Sequence, residues 1–328
     1  MSDPLSKARL VYAHGPGAFR SLAEVRMTAA RDGRYVPIRQ RAFADATDWA
    51  QLSDEGRLRT RIEVVASAAR RHEPVFSHTA AGALHGLPLY RVSTGVVHVI
   101  TRGENPPKSQ FDVVRHRDAL TDADVVRVGG HVATSLERTV YDIIRAESLE
   151  TAVAVFDAAL RSVAWNDDVL TYDFAAAARF RRAVAMRVDA ARGARGRLQA
   201  QFVTAFADGR AQLPAESVSR LWLYELGVPA PELQYRVVGV SGRTYFLDMA
   251  WPELGIFGEF DGQGKYTLPH LTKGRTEVEV RAAEAEREAE IRAATGWRPI
   301  RWKGVQISAL DSFAEFLRDA GILDHPEA

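Results

Sequence analysis

Residues Thr244–Tyr266 read TYFLDMAWPELGIFGEFDGQGKY. The stretch reads as two β-strands joined by a short reversal at Trp251-Pro-Glu-Leu-Gly255, where Pro and Gly supply the turn chemistry. Side chains alternate faces along a strand. Phe257, Glu259 and Asp261 therefore share one face of the second strand, and Phe246 and Asp248 share one face of the first. Pairing as a hairpin brings Asp248 beside Glu259 and Asp261. Three carboxylates on an otherwise apolar hairpin repel one another and call for a cation, a proton or an Arg/Lys partner.

The rest of the chain sets the frame for that cluster. It has 328 residues, 46% hydrophobic and 26% charged, which is globular composition with length for two or three domains. Net charge is +1, so any nucleic-acid surface has to be local. The absence of cysteine excludes disulfides, thiolate zinc sites and cysteine nucleophiles. No apolar run approaches a membrane span, and the first residues, MSDPLSKARLVYAHGPG, lack a signal-peptide pattern. The expectation is a cytoplasmic protein with no membrane partner.

Outward from the hairpin, Pro214-Ala-Glu-Ser opens a helix that Gly227 closes. A strand covers Leu233–Val240, a long charged helix covers Arg275–Thr295, a strand covers Trp297–Trp302, and a last helix covers Ser312–Ala320. The resulting order, α-β-β-β-α-β-α, contains the core of the restriction-endonuclease-like (PD-(D/E)xK) nucleases. Those enzymes hold Mg²⁺ (or Mn²⁺) with an Asp ending one strand and a Glu on the next. Such a hard cation takes oxygen ligands and lowers the pKa of a bound water. Asp248, Glu259 and the backbone carbonyl of Phe260 offer that donor set. The plain structural alternative pairs these acids with Arg220, Arg243 or Lys265.

Nearer the start, SLAEVRMTAARD (Ser21–Asp32) reads as a helix stopped by Gly33, followed by a ribbon carrying Arg34, Arg39 and Arg41. A short helix before a basic ribbon suits a winged-helix DNA reader, and equally a small cap with solvated arginines. Residues 54–72 form a helix, and Ser77 or Thr79 caps another. His78 and His85 stand seven apart with no third ligand nearby, so each reads as a satisfied histidine. Strands follow at Val96–Thr101, Phe111–His116 and a hairpin through Gly129-Gly130, then helices from Thr134 and from Leu149 to Val163. The Arg- and Ala-rich residues 171–211, broken by Gly193 and Gly196, read as a linker helix.

The segments PAESVSRLWLYELGVPAPELQ, FLDMAWPELGIFGEFDGQGKY and EREAEIRAATGWRPIRW resemble the Vsr-like nucleases (the DUF559 group) of the PD-(D/E)xK superfamily. The resemblance runs from about Gln212 to Trp302. It implies catalytic roles for Glu216, Asp248, Glu259 and Asp261. Asp261 stands where the superfamily carries a Lys, which leaves Lys265, then His270, to take over that duty. Arg287 and Arg301 match basic positions that meet phosphate or pair with Glu284, Glu288 or Glu290. SHTAAGALHGLP, VHVITRG, VVRHRDAL and TSLERTVYDIIRA, between Ser77 and Arg161, look like the AbiEi-like relatives of type IV antitoxins, which carry an N-terminal winged helix and bind promoter DNA.

The expected organisation is α/β (α+β): a winged-helix-like region at 1–72, an AbiEi-like α+β domain at 73–170, a linker at 171–211 and a nuclease-like domain at 212–328. The expected function is a metal-dependent DNA endonuclease, in repair or phage defence, with DNA and a toxin or defence protein as partners. The alternative is a non-catalytic operator-binding regulator that keeps the nuclease fold as a scaffold.

Overall fold

The computed structural model describes residues 7–12, 22–69, 73–101, 108–261 and 276–323. The chain divides into two compact units, Met1–Ala159 with Ala178–Phe206, and Leu160–Ala177 with Ala207–Ala328. Both mix helices with sheets, so the class is α+β, as the pattern of elements led one to expect. No helix among the described residues is long and apolar enough to cross a membrane.

The first unit begins with β1 (Leu10–Tyr12), α1 (Leu22–Asp32), β2 (Tyr35–Arg39) and β3 (Ala42–Asp45), the strands forming an antiparallel sheet in the order β1-β3-β2. Gly33 ends α1 at φ +61°, a left-handed conformation open to glycine. Helix α2 (Ala46–Gln51) starts on Asp45, whose carboxylate accepts the Thr47 amide at 3.0 Å. Helix α3 (Asp54–Ala68) starts on Ser53, whose hydroxyl accepts the Gly56 amide at 3.2 Å. Ala8, Ile38, Ala42, Ala44, Leu52 and Val64 close a small core between them.

A second sheet follows in the same unit: β4 (Val75–Phe76), β5 (Val97–Ile100), β6 (Val113–His116), β7 (Val125–Val128) and β8 (His131–Thr134), in the order β6-β5-β4-β8-β7. Strands β5 and β6 pair in parallel, as do β4 and β8; β4–β5 and β7–β8 are antiparallel. Helix α4 (His78–Leu84) leaves directly from β4, and α5 (Leu136–Ala146) leaves from β8 on a Ser135 cap. Helices α6 (Leu149–Ala164), α7 (Phe174–Ala190) and α8 (Arg197–Phe206) complete the chain up to Ala207. Of the stretch 171–211, read from composition as a linker helix, residues Ala178–Phe206 count with the first unit. Phe180, Val184 and Val188 make a buried stripe at four-residue spacing on α7, and Ala200 and Val203 are buried on α8. The arginines that suggested a solvated run occupy the remaining positions around that stripe. Gly196 shows how closely α8 begins against the end of α5, since a Cβ there would stand 2.0 Å from the Arg145 carbonyl oxygen.

The second unit opens with the small hairpin β9 (Trp165–Asn166) and β10 (Thr171–Tyr172). It continues with α9 (Pro214–Glu225), β11 (Glu232–Val238), β12 (Thr244–Trp251), β13 (Ile256–Phe260), α10 (Glu277–Thr295), β14 (Arg298–Trp302) and α11 (Leu310–Asp319). The sheet order is β11-β12-β13-β14, antiparallel except for the parallel β13–β14 pair. Gly255, at φ +62°, makes the reversal expected between β12 and β13. A Thr276/Glu279 capping box starts α10, and Gly296 in the left-handed conformation ends it. Ile291 of α10 packs on one sheet face with Val237, Leu247, Ala250 and Phe257. On the other face Trp302 donates its indole N–H to Ser219 Oγ of α9 at 2.8 Å.

Candidate functional site

The acids of interest gather around a break in the second unit's sheet. The β12–β13 ladder runs from Trp251↔Ile256 to Met249↔Gly258 and stops there, one step short of Asp248 and Glu259. On the other side of β12 the register passes from Leu233↔Met249 to Tyr235↔Leu247, omitting the Gln234–Asp248 pair. Gln234 has φ +50°, a strained conformation for a residue with a Cβ. Leu247 and Ala250, three residues apart, join the same apolar cluster. Strict alternation forbids that, so the faces exchange at Asp248-Met249. The Asp248 carboxylate accepts the Phe260 amide N–H at 3.3 Å, where a continued ladder would have placed backbone.

Glu216 joins Asp248 at this break. It lies in the first turn of α9 and is buried, with its carboxylate accepting the Gln212 amide at 2.8 Å. Burial, and then the charge of Asp248, push its pKa up to about 8.

Glu259 goes elsewhere. It shares its strand face with Phe257, and so faces α10. Arg287 of α10 holds one carboxylate oxygen, and Arg301 of β14 holds the other at 3.2 Å. Arg287 also donates to the Phe246 carbonyl at 2.8 Å, and Arg301 reaches Glu288 at 3.1 Å. Burial works against the Arg301 charge, but Glu259, Glu288 and Asp261 outweigh it and raise its pKa. The expectation that Asp248, Glu259 and Asp261 converge on one ion is corrected in this respect. Among the described residues the one group of three His, Asp or Glu ligand atoms within 4.8 Å of one another is His78, His98 and His116. The sequence reading failed here because strict alternation carried Asp248 onto the Glu259 face, whereas the break at Asp248 turns it away.

Asp261 lines an open groove of about 520 Å³ with Arg281, Glu288, Arg292, Arg301 and Lys303. Arg281, Arg292 and Lys303 had no role in the sequence reading; their common signal was a basic spacing on α10 and the residue after β14. Lys265 and His270 lie outside the described residues. On the N-terminal ribbon, Arg34 and Arg41 are exposed, while Arg39 pairs with Asp112 at 3.0 Å and donates to Gln110. His85 is satisfied as expected, its Nε2 lying 2.8 Å from the Thr134 carbonyl.

No protein-family model matches the chain. Two proteins of Mycobacterium tuberculosis are similar to it: uncharacterized protein MT2308 of strain CDC 1551 / Oshkosh and uncharacterized protein Rv2248 of strain ATCC 25618 / H37Rv. Each is 32% identical over 181 residues, 55% of this chain and 60% of the relative. The chain thus spans about three-fifths of the length of the curated relatives it matches.

Proposed function

We propose that the second unit is a divalent-cation-dependent nuclease acting on DNA, and that the first unit contributes DNA or partner recognition. The observation that carries this reading is the Glu216–Asp248 pair. A buried carboxylate, Glu216, faces the half-buried Asp248, and its raised pKa keeps a proton on it at neutral pH unless a cation replaces that proton. The donors fit a hard cation: Glu216, Asp248 and the Phe260 carbonyl are all oxygen ligands. Bound there, Mg²⁺ or Mn²⁺ would supply an activated water and neutralise charge on a scissile phosphate.

The protein's own groups take the remaining tasks. The Phe260 amide orients the Asp248 carboxylate. Arg281, Arg292 and Lys303, along the groove beside Asp261, offer contacts to the phosphate backbone. Arg287 and Arg301 anchor Glu259, and a phosphate entering beside them competes for the same guanidinium groups. The α-β-β-β-α-β order and the family resemblance support the same reading.

A second reading, the operator-binding regulator, is favoured by one observation: Glu259, an acid the nuclease chemistry needs, is spent on two arginines. The two separate in one experiment. On the nuclease reading, Mg²⁺ or Mn²⁺ raises the melting temperature and the protein nicks plasmid DNA. Asp248→Ala abolishes both effects and Glu216→Gln reduces the ion-induced shift. DNA binding that falls steeply with salt, with no ion-induced shift and no cleavage, selects the regulator instead.

A further inference from the structure

Three histidines meet in the first unit from places far apart in sequence. His78 opens α4 immediately after β4, His98 lies on β5, and His116 ends β6. The sheet order β6-β5-β4 sets those three segments side by side. The parallel register places His98 opposite Val114 and Ile100 opposite His116, so His98 and His116 stand two positions apart on one face.

The rings are close. His98 Nδ1 and His116 Nε2 are 2.9 Å apart. The His78 and His116 rings stack with centroids 3.9 Å apart, and the His98 and His116 centroids are 5.2 Å apart. One ligand nitrogen from each residue can be chosen so that all three lie within 4.8 Å of one another. Tetrahedral zinc, with Zn–N bonds of about 2.0–2.1 Å, needs nitrogens roughly 3.3 Å apart.

The surroundings favour a metal over a purely structural stack. His78 is buried and sits at φ +50°, a conformation that costs free energy for a residue with a Cβ. Ser77, at the cap position of α4, makes no side-chain cap; its hydroxyl lies 3.1 Å from His78 Nδ1 instead. A hydroxyl on one ring nitrogen is what fixes the other as a ligand. Arg138 does not compete as an anion binder. It is held by buried Asp142 at 2.9 Å and by Asp118 at 3.1 Å. Burial lowers the pKa of all three imidazoles, and the charges of Arg138 and Arg145 lower those of His78 and His116 further.

We propose that His78, His98 and His116 bind one transition-metal ion of the Zn²⁺ class, with a fourth position left to water. An all-imidazole set suits Zn²⁺, Co²⁺, Ni²⁺ or Cu²⁺ and disfavours Mg²⁺ and Ca²⁺, which take oxygen. Binding exchanges the stacked arrangement for a fan, each ring turning until its lone pair meets the ion. The site is separate from the Glu216–Asp248 pair and independent of the nuclease reading.

The test uses the full chain, Co²⁺ as spectroscopic probe and Zn²⁺ in competition with a chromogenic chelator. One equivalent of Co²⁺ is expected to show the intense visible absorption of a four-coordinate nitrogen site, apart from any weakly absorbing Co²⁺ on the Glu216–Asp248 oxygens. His98→Gln and His116→Gln, folded as judged by near-ultraviolet circular dichroism, are expected to weaken Zn²⁺ binding at least about 100-fold. Sub-stoichiometric binding, or glutamine variants that bind like the parent, each overturns the proposal. So does stabilisation by inorganic phosphate without Co²⁺ uptake, which would assign the trio to an anion.

Discussion

Asp45 caps α2 and also accepts Arg9 Nη2 at 2.7 Å. The Arg9 hydrogen bond, helped by the Thr47 and Asp48 amides, holds its carboxyl below the usual carboxylate range despite burial. The resulting stabilisation is complete above the ordinary value of about 3.9 and is lost as pH falls through the lower folded value. Asp45→Ala should cost about 1 kcal/mol at pH 7, and the difference from the parent should shrink as pH falls below about 4 in urea titrations. Gly258 is fixed by sterics. A Cβ there would meet the Trp302 ring at 2.7 Å and Trp251 at 3.2 Å. Gly258→Ala is expected to destabilise by about 1–3 kcal/mol in guanidinium unfolding, because both indoles are walled in by the core. The acids themselves stood out in the sequence by type and position. Whether a given acid meets an arginine or another acid did not, because that depends on which face a broken strand presents. His98 and His116 escaped for a related reason. Their spacings to His78 match no local period, and only the sheet order brings them together.

At the scale of the element, the break around Asp248 is the feature that most departs from an ideal sheet. Strand and turn positions followed from alternation and from Pro252 and Gly255, and the observed bounds differ by a residue or two from the expected ones. The missing ladder steps carried no such signal, since nothing in LQYRV announces that Gln234 leaves the β region. Gln234→Gly is expected to raise stability by up to about 1 kcal/mol, because glycine adopts this φ without the Cβ penalty. A loss of stability in chemical unfolding would mean that the Gln234 side chain contributes more than its backbone costs. Helices α7 and α8 give the opposite lesson. Their composition looked like a solvated linker, yet Phe180, Val184 and Val188 at spacing four are an apolar stripe that outweighs the arginine count.

For the whole molecule, the two units interleave in sequence: the second takes Leu160–Ala177 and then the chain from Ala207 onward. Residues 160–177 belong with the C-terminal unit. Within that unit, Gly209 lies so close to the α6 end that a Cβ would sit 2.6 Å from the Arg161 amide nitrogen. Arg161 also donates to the Arg210 carbonyl at 3.3 Å, and its guanidinium lies 4.2 Å from the Trp165 ring centroid. A fragment starting at Ala207 removes these partners. It is expected to melt without a sharp cooperative transition, while one starting at Leu160 should retain it; calorimetry of the two distinguishes them. A composition-based boundary could not anticipate this, because α6 reads as one uninterrupted helix across the point where the units part.

The interleaving bears on how the chain is made. A ribosome delivers residues 160–177 before 178–206, although the earlier-formed unit needs the later segment. Until α7 emerges, Phe156 has no cover from Phe180. The nascent polypeptide therefore carries a sticky surface for several seconds at ordinary elongation rates. Translation arrested between codons 160 and 206 would leave a product dependent on chaperones, whereas arrest after release of α8 would leave a unit able to fold.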